Sequence, residues 1–144
     1  MRLTIVFIAM VVANTLIAQS PSFEWAKQMG GTVADHGRSI AIDGSGNVYS
    51  SGTFSLTVDF DPGAGVFDLT AANGTNSYIQ KLDANGNFIW AKQMGVGAWS
   101  SAIDGSGNVY TIGGFQGTTD FDPGAGVFNL TSAGGNDMYI QKLD

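Results

Sequence analysis

The sequence of 144 residues contains no cysteine. This excludes a disulfide framework, a cysteine nucleophile and lipid attachment through an N-terminal cysteine. Charged residues are also scarce, at 12% of the chain, and only six are Lys or Arg, which leaves a formal net charge of −6. Because phosphate binding needs clustered basic side chains, we expect no nucleic acid partner.

Histidine is nearly absent as well, since His36 is the only one. It could belong to a Ser-His-Asp arrangement, and Glu24 and Asp35 could pair as the carboxylates of a glycoside hydrolase, but no pattern fixes either geometry. A histidine in a loop is more often solvated than catalytic. We therefore predict no catalytic residue, no cofactor and no enzymatic activity.

The long apolar run lies at the N-terminus. Arg2 precedes the apolar stretch 3–13, and Ala18 offers a small residue at the end of a cleavage site, which together are typical of a secretory signal peptide. An uncleaved membrane anchor is the alternative, but the run is shorter than the ~20 apolar residues of a spanning helix. We predict a signal peptide at residues 1–18, a mature chain from Gln19 with no stable membrane span, and a secreted or cell-surface location.

The sequence contains long internal repeats and 21 glycines. Three segments occur twice with one common spacing: DGSGNVY at 43–49 and 104–110, DFDPGAGVF at 59–67 and 120–128, and YIQKLD at 78–83 and 139–144. The WAKQMG pair, at 25–30 and 90–95, is spaced more widely. The second copy is therefore four residues shorter, between Met94 and Ala102, where it lacks the stretch that matches 35–38.

Internal repeats of this length indicate one structural unit written twice. The missing stretch leaves open how the innermost strand of the second copy begins.

Each copy predicts a four-stranded sheet. Short apolar or alternating runs occupy residues 38–43, 47–54, 77–83 and 87–94, with Gly- and Asn-rich turns between them, which is the pattern of β-hairpins. The fourth run is expected to place Phe88, Trp90, Lys92 and Met94 on one face. With strands named a to d from the centre, the chain reads d, abcd, abc, starting from a lone outer strand at Phe23–Met29. We predict an all-β, β-propeller-like fold of two four-stranded antiparallel blades.

The segments SIAIDGSGNVYSSGTF and YIQKLDANGNFIWAKQ, with the Gly-Gly pair at 30–31, resemble the SBBP family of bacterial β-propeller repeats. The resemblance covers nearly all of residues 23–144. It implies a propeller-type fold in a secreted or surface protein, and it carries over no catalytic residues, because the family shares none. The implied organisation is a signal peptide at 1–18, an outer strand plus first blade at 19–94, and a second, incomplete blade at 95–144.

Two blades cannot close a propeller, which needs about four to eight. The chain could be part of a longer propeller, or several chains could form a homo-oligomeric ring by exchanging outer strands, or the two sheets could pack as a sandwich. We favour the longer propeller, because the sequence stops after strand c without a capping feature.

The segment DFDPGAGVF predicts a turn between strands b and c, of type II, with Gly63 at the position of positive φ. In an extended segment, Asp59 and Asp61 point the same way, as do Asp120 and Asp122, so these pairs are calcium candidates. Calcium usually takes six to eight oxygens, so we expect no metal here. A calcium-dependent rise in melting temperature, abolished by Asp61→Ala with Asp122→Ala, would show otherwise.

The three tryptophans separate into two groups. Trp25 and Trp90 occupy equivalent repeat positions and are expected in the core, whereas Trp99 has no counterpart and is the candidate for an exposed contact. We predict a non-enzymatic binding or structural scaffold whose partner is a protein or carbohydrate. The alternative is an extracellular carbohydrate-active enzyme, a hydrolase or lyase on a propeller frame, or a carbohydrate-binding module.

Overall fold

The computed structural model describes residues 20–95 and 97–144. The predicted signal peptide lies outside the described residues. Every regular element in the described part is a β-strand, so the prediction of an all-β fold is confirmed. No helix in this part is long and apolar enough to cross a membrane.

The first copy of the repeat forms one antiparallel sheet of four strands in the order β1-β2-β3-β4. The strands are β1 (His36–Ile42), β2 (Val48–Asp59), β3 (Asp68–Leu82) and β4 (Phe88–Met94). They occur in chain order because tight turns or short loops join neighbouring strands. This is the predicted abcd unit, and we call it sheet 1.

The second copy forms a three-stranded antiparallel sheet, sheet 2, in the order β5-β6-β9. Its strands are β5 (Gly97–Ile103), β6 (Val109–Phe115) and β9 (Asp137–Leu143). A separate two-stranded ribbon joins β6 to β9 and consists of β7 (Thr118–Asp120) and β8 (Asn129–Thr131). Sheet 2 therefore has the predicted strands a, b and c.

The prediction of an outer strand at Phe23–Met29 is wrong for the described structure. This segment pairs with no strand, and next to it Gly30 makes a single isolated bridge to Asp59. The Trp25 indole donates a hydrogen bond of 3.2 Å to the Ala84 carbonyl in the turn before β4. The segment thus contacts sheet 1 without joining it as a strand, since it forms no ladder with any strand of the described residues.

The innermost strand of the second copy is complete despite the deletion. Both β1 and β5 have seven residues, and each shifts register at the same repeat position, between Gly37 and Ser39 in β1 and between Ala98 and Ser100 in β5. The missing residues therefore belong to the loop before the strand. The start of strand a, which the sequence left open, is therefore the same in both copies.

Strand β4 also departs from the predicted alternation. Its register against β3 shifts between Lys81 and Leu82, so that Lys81 lies opposite Trp90 and Leu82 lies opposite Phe88. The extra residue, Ile89, puts Phe88 and Trp90 into different hydrophobic clusters. The prediction that these two side chains share a face is wrong.

The two sheets pack through opposite faces. We call the face of sheet 1 that carries Tyr49 and Ile79 the front face, and the face that carries Phe54 and Tyr78 the back face; sheet 2 is named by the equivalent repeat positions. Side chains from the front of sheet 1 share one core with side chains from the back of sheet 2, namely Tyr49, Ile79, Met94, Val109, Phe115, Phe121 and Tyr139. Because the faces that meet are not equivalent, the packing is head to tail.

The innermost strands of the two sheets lie beside each other. The Ser51 and Ser101 hydroxyl oxygens are 2.5 Å apart, and the Ser101 backbone N–H donates to the Ser39 hydroxyl over 3.1 Å. Ser51 is fully buried there. Small hydroxyl side chains allow close approach while satisfying each other's polar groups. The two sheets thus pack front to back, and β1 of sheet 1 lies beside β5 of sheet 2.

Candidate functional site

The DGSGN turns use their aspartates to close hairpins. The Asp43 carboxylate accepts the backbone N–H groups of Ser45 and Asn47 at 2.9 and 3.0 Å, and the Asn47 side chain donates to it at 2.8 Å. The Asn47 amide is the main cause that holds the pKa of Asp43 at about 2. Asp104 repeats these contacts with Ser106 and Asn108. These segments are hairpin turns, as predicted.

The DFDPGAGVF segments are loops between strands b and c, as predicted, and their first aspartate closes them. Asp59 accepts the N–H groups of Asp61 and Phe67 at 2.9 and 2.8 Å, and Phe60 donates to the Phe67 carbonyl at 3.0 Å. The Phe67 and Asp61 N–H groups lower the pKa of Asp59. Asp120 makes the equivalent contacts in the second copy.

The second aspartate of each loop packs onto glycine. The type II turn predicted at Gly63 is wrong, because Gly63 is not among the residues with positive φ. Instead Asp61 accepts the Gly63 N–H at 2.8 Å, and a Cβ on Gly63 would lie 3.0 Å from the same carboxylate oxygen. A Cβ on Gly65 would collide with the other oxygen. A side chain at either position would therefore displace this carboxylate, and by more at Gly65 than at Gly63.

The calcium candidates hence have backbone partners in the structure. Asp59 and Asp61 each accept N–H groups of their own loop, and Asp120 and Asp122 do the same. Among residues 20–95 and 97–144, no group of three or more His, Asp or Glu side chains could hold a metal ion. Calcium at these loops stays a hypothesis for the melting experiment described above.

A groove of about 600 Å³ crosses the back face of sheet 1 beneath the N-terminal segment. Its floor is apolar and includes Phe54, Phe60 and Tyr78, and its rim carries four charged or titratable side chains, which are Lys27, Asp35, His36 and Arg38. Burial raises the pKa of the Tyr78 hydroxyl. The groove therefore has an apolar floor and a rim of mixed charge.

Asp35 is a structural member of that rim. It accepts the Gly31 N–H at 2.8 Å and the Ser55 N–H at 3.1 Å. It therefore ties the loop before β1 to β2, and His36 beside it is exposed. Glu24 is exposed on the N-terminal segment and is not among the groove residues. The sequence hypotheses that linked Glu24 with Asp35, or His36 with a nucleophile, gain no supporting hydrogen bond among the described residues.

Two of the three tryptophans, Trp90 and Trp99, lie where the sequence predicted them. Trp90 packs against the core between the sheets, with its ring edge-on to Tyr49 at 6.1 Å. Trp99 is 50% exposed. Trp25 is half-buried, as Trp90 is, but it lies on the N-terminal segment and packs against neither hydrophobic cluster of the described residues, so the prediction that it lies in the core is wrong.

Sequence reasoning missed the groove. Lys27 lies in the segment that was predicted as an outer strand, and Arg38 lies near the start of β1. No sequence motif links either residue to Tyr78. One signal was present: five residues, 31–35, separate Gly30 from β1 in the first copy, whereas one residue separates Gly95 from β5 in the second. A loop present in one repeat only is a common place for a repeat protein to build a site.

The fold and the site define an all-β repeat protein whose sheets stack front to back. Residues 24–53 match the SBBP β-propeller repeat family. This stretch comprises the N-terminal segment, β1 and the first part of β2. The resemblance to this family is therefore confirmed for residues 24–53. No curated protein and no solved structure gives a significant match to the chain.

Proposed function

We propose that the chain is a non-enzymatic β-propeller repeat segment that is exported and acts as a binding or structural scaffold. The observation that carries this proposal is the use of its carboxylates. Five aspartates have a lowered pKa, and in each case hydrogen bonds from the residue's own turn or loop are the main cause; they are Asp43, Asp59, Asp83, Asp104 and Asp120. Carboxylates engaged in this way hold the turns and loops of the repeat frame, which supports a scaffold role.

The test is a screen for turnover beside a screen for binding. Purified protein is incubated with a panel of polysaccharides and ester substrates, with the His36→Ala variant as the matched control. We expect no turnover that distinguishes the two proteins. Turnover by the wild type that His36→Ala removes would support an extracellular carbohydrate-active enzyme or esterase and contradict the proposal.

A carbohydrate-binding role is the second candidate, and the exposure of Trp99 favours it. Exposed aromatic rings stack on the apolar faces of sugars, and the Trp99 ring lies over Gly114, where a side chain would collide with it. Affinity electrophoresis in gels that contain polysaccharide tests this role. Retardation that Trp99→Ala abolishes and Val127→Ala preserves would support it, since Val127 is an exposed residue of a distant loop.

Export is tested on the full chain. The signal peptide at 1–18 predicts that a bacterial host delivers the protein outside the cytoplasm with Gln19 as its first residue. Intact mass of the purified protein reads the cleavage point directly. A mass that still includes residues 1–18 would contradict the prediction.

A further inference from the structure

A polar pocket of about 540 Å³ lies between residues of the two sheets, at the end of β4. Sheet 1 contributes Asn76, Gln93 and the chain up to Gly95, and the second copy contributes residues 118–124 and Gln141. Both sides of the pocket are therefore formed by described residues, one side from each repeat. A volume of this size suits a small molecule and is much larger than a bare metal ion needs.

One buried amide of the pocket is left without a partner. Asn76 is 9% exposed, and its side chain makes no hydrogen bond to a residue of the described part of the chain. The amide is not fully enclosed, because the Tyr139 hydroxyl is the only fully enclosed side-chain atom without a partner among these residues. By contrast, the buried amide of Gln141 donates to the Phe121 carbonyl and accepts from the Thr111 hydroxyl. Buried polar groups are nearly always hydrogen-bonded, so the unused amide of Asn76 indicates a ligand in the pocket that it lines.

The two repeats use the matching positions differently. The counterpart of Asn76 is Asp137, whose carboxylate accepts the Ala133 N–H at 2.8 Å and so closes its own loop. The pocket wall differs as well, because Thr119 occupies the position of Val58, which is buried in the first copy. The polar lining is therefore particular to this pocket and is not a requirement of the repeat frame.

The pocket carries negative charge without any positive charge. Asp120 and Asp122 line it, and none of the described residues that line it is Lys, Arg or His. Asp120 uses one carboxylate oxygen to accept the N–H groups of Asp122 and Phe128. Asp122 likewise uses one oxygen to accept the Gly124 N–H. A cleft lined by charges of one sign concentrates ligands of the opposite sign.

We propose that this pocket binds a small organic cation through a primary ammonium group. An ammonium group has three donors and no acceptor, and the carboxylates of Asp120 and Asp122 and the amide oxygen of Asn76 are acceptors. Met94 and Pro123 also line the pocket and provide apolar surface for an alkyl chain. The proposal names a ligand class for the binding scaffold and therefore rests on that proposed function.

The first experiment compares two ligands of the same length and different charge. Cadaverine, a linear diamine, is titrated into the purified full-length protein, and binding is measured by saturation-transfer NMR. We expect saturable binding of cadaverine and none of 1,5-pentanediol, which has the same carbon chain with neutral hydroxyl groups. Equal binding of the diol would overturn the proposal and would indicate a site for neutral polyols.

The two copies of DFDPGAGVF supply a matched control. The double variant Asp120→Asn, Asp122→Asn keeps an acceptor oxygen for the N–H groups of the loop but removes both charges, so the affinity for cadaverine should fall at least tenfold. Asp59→Asn, Asp61→Asn makes the same change in the first copy, whose loop does not line the pocket, and should change the affinity less than twofold. Because both variants remove the same charge from the protein, equal losses would contradict binding in the pocket.

Asn76→Ala tests the buried amide. We expect at least threefold weaker binding of cadaverine, with the melting temperature measured to show that the variant is folded. Unchanged affinity would contradict the assigned role of Asn76. A wild type that binds no cadaverine would overturn the pocket alone, whereas turnover that His36→Ala removes would overturn the scaffold role, so the two failures are distinguishable.

Discussion

Replacing the same repeat position in the two sheets is expected to have very different costs. Ile79 has 0% exposure and lies in the core between the sheets, whereas Ile140 is 78% exposed. Truncation of a buried isoleucine to alanine costs about 2–5 kcal/mol, through lost burial and the cavity left behind. Because most of the Ile140 side chain is already in water, Ile140→Ala should cost about 0.5 kcal/mol.

The difference is measured by urea unfolding at low chain concentration, followed by tryptophan fluorescence. We expect Ile79→Ala to lower the free energy of unfolding by about 2 kcal/mol or more beyond the effect of Ile140→Ala. Costs equal within about 0.5 kcal/mol would refute the front-to-back packing of the sheets.

Two further predictions concern turns. Gly117 has φ of 63° and no atom near its Cβ position, so Gly117→Ala should lower the free energy of unfolding by about 1 kcal/mol through backbone strain alone. Gly105 has equally open space but no positive φ, so Gly105→Ala is the control and should be nearly neutral. Urea unfolding measures both costs, and equal costs would contradict backbone strain at Gly117. Because the pKa values of Asp43 and Asp104 are lowered to about 2 in the folded state, their contribution to stability should be complete above the unfolded value of about 3.9 and disappear as the pH falls towards 2. The test is to measure the melting temperature as a function of pH. We expect the double variant Asp43→Asn, Asp104→Asn to lose less melting temperature between pH 4 and 2 than the wild type does. The same pH dependence in both proteins would contradict the prediction.

The local features of this fold were predictable from the sequence, because they depend on neighbouring residues. An aspartate four residues before an asparagine closes its own hairpin, as Asp43 and Asn47 do. The loop between strands b and c was predictable for the same reason. Its turn type was not, since the conformation at Gly63 depends on where the Asp61 carboxylate lies.

Features that depend on packing between distant segments were not predictable. The alternation of residues predicts two faces for each strand, but it does not predict which face of one sheet packs on which face of the other. The front-to-back packing is therefore known only from the structure. The extra residue at Ile89 likewise follows from the fit of β4 on β3. Residues 23–29 repeat a strand sequence and still form no strand here, because a strand needs an edge beside it as well as a sequence.

The central claim is that the two sheets pack front to back with their inner strands together. Ser51 of β2 and Ser101 of the inner strand β5 make a contact between the two sheets, with hydroxyl oxygens 2.5 Å apart. Replacing both by cysteine should give a spontaneous intrachain disulfide that raises the free energy of unfolding by about 4 kcal/mol, as expected for a loop of this length. Ser50→Cys with Ser101→Cys is the control, because Ser50 faces Gln80 on the other side of sheet 1.

The most direct test of this packing is a count of free thiols in the purified Ser51→Cys, Ser101→Cys protein. Intact mass shows whether the disulfide lies within one chain. We predict no free thiol in this variant and two in the control. Two free thiols in both proteins, or a bridge that forms only between chains, would contradict the packing of the sheets.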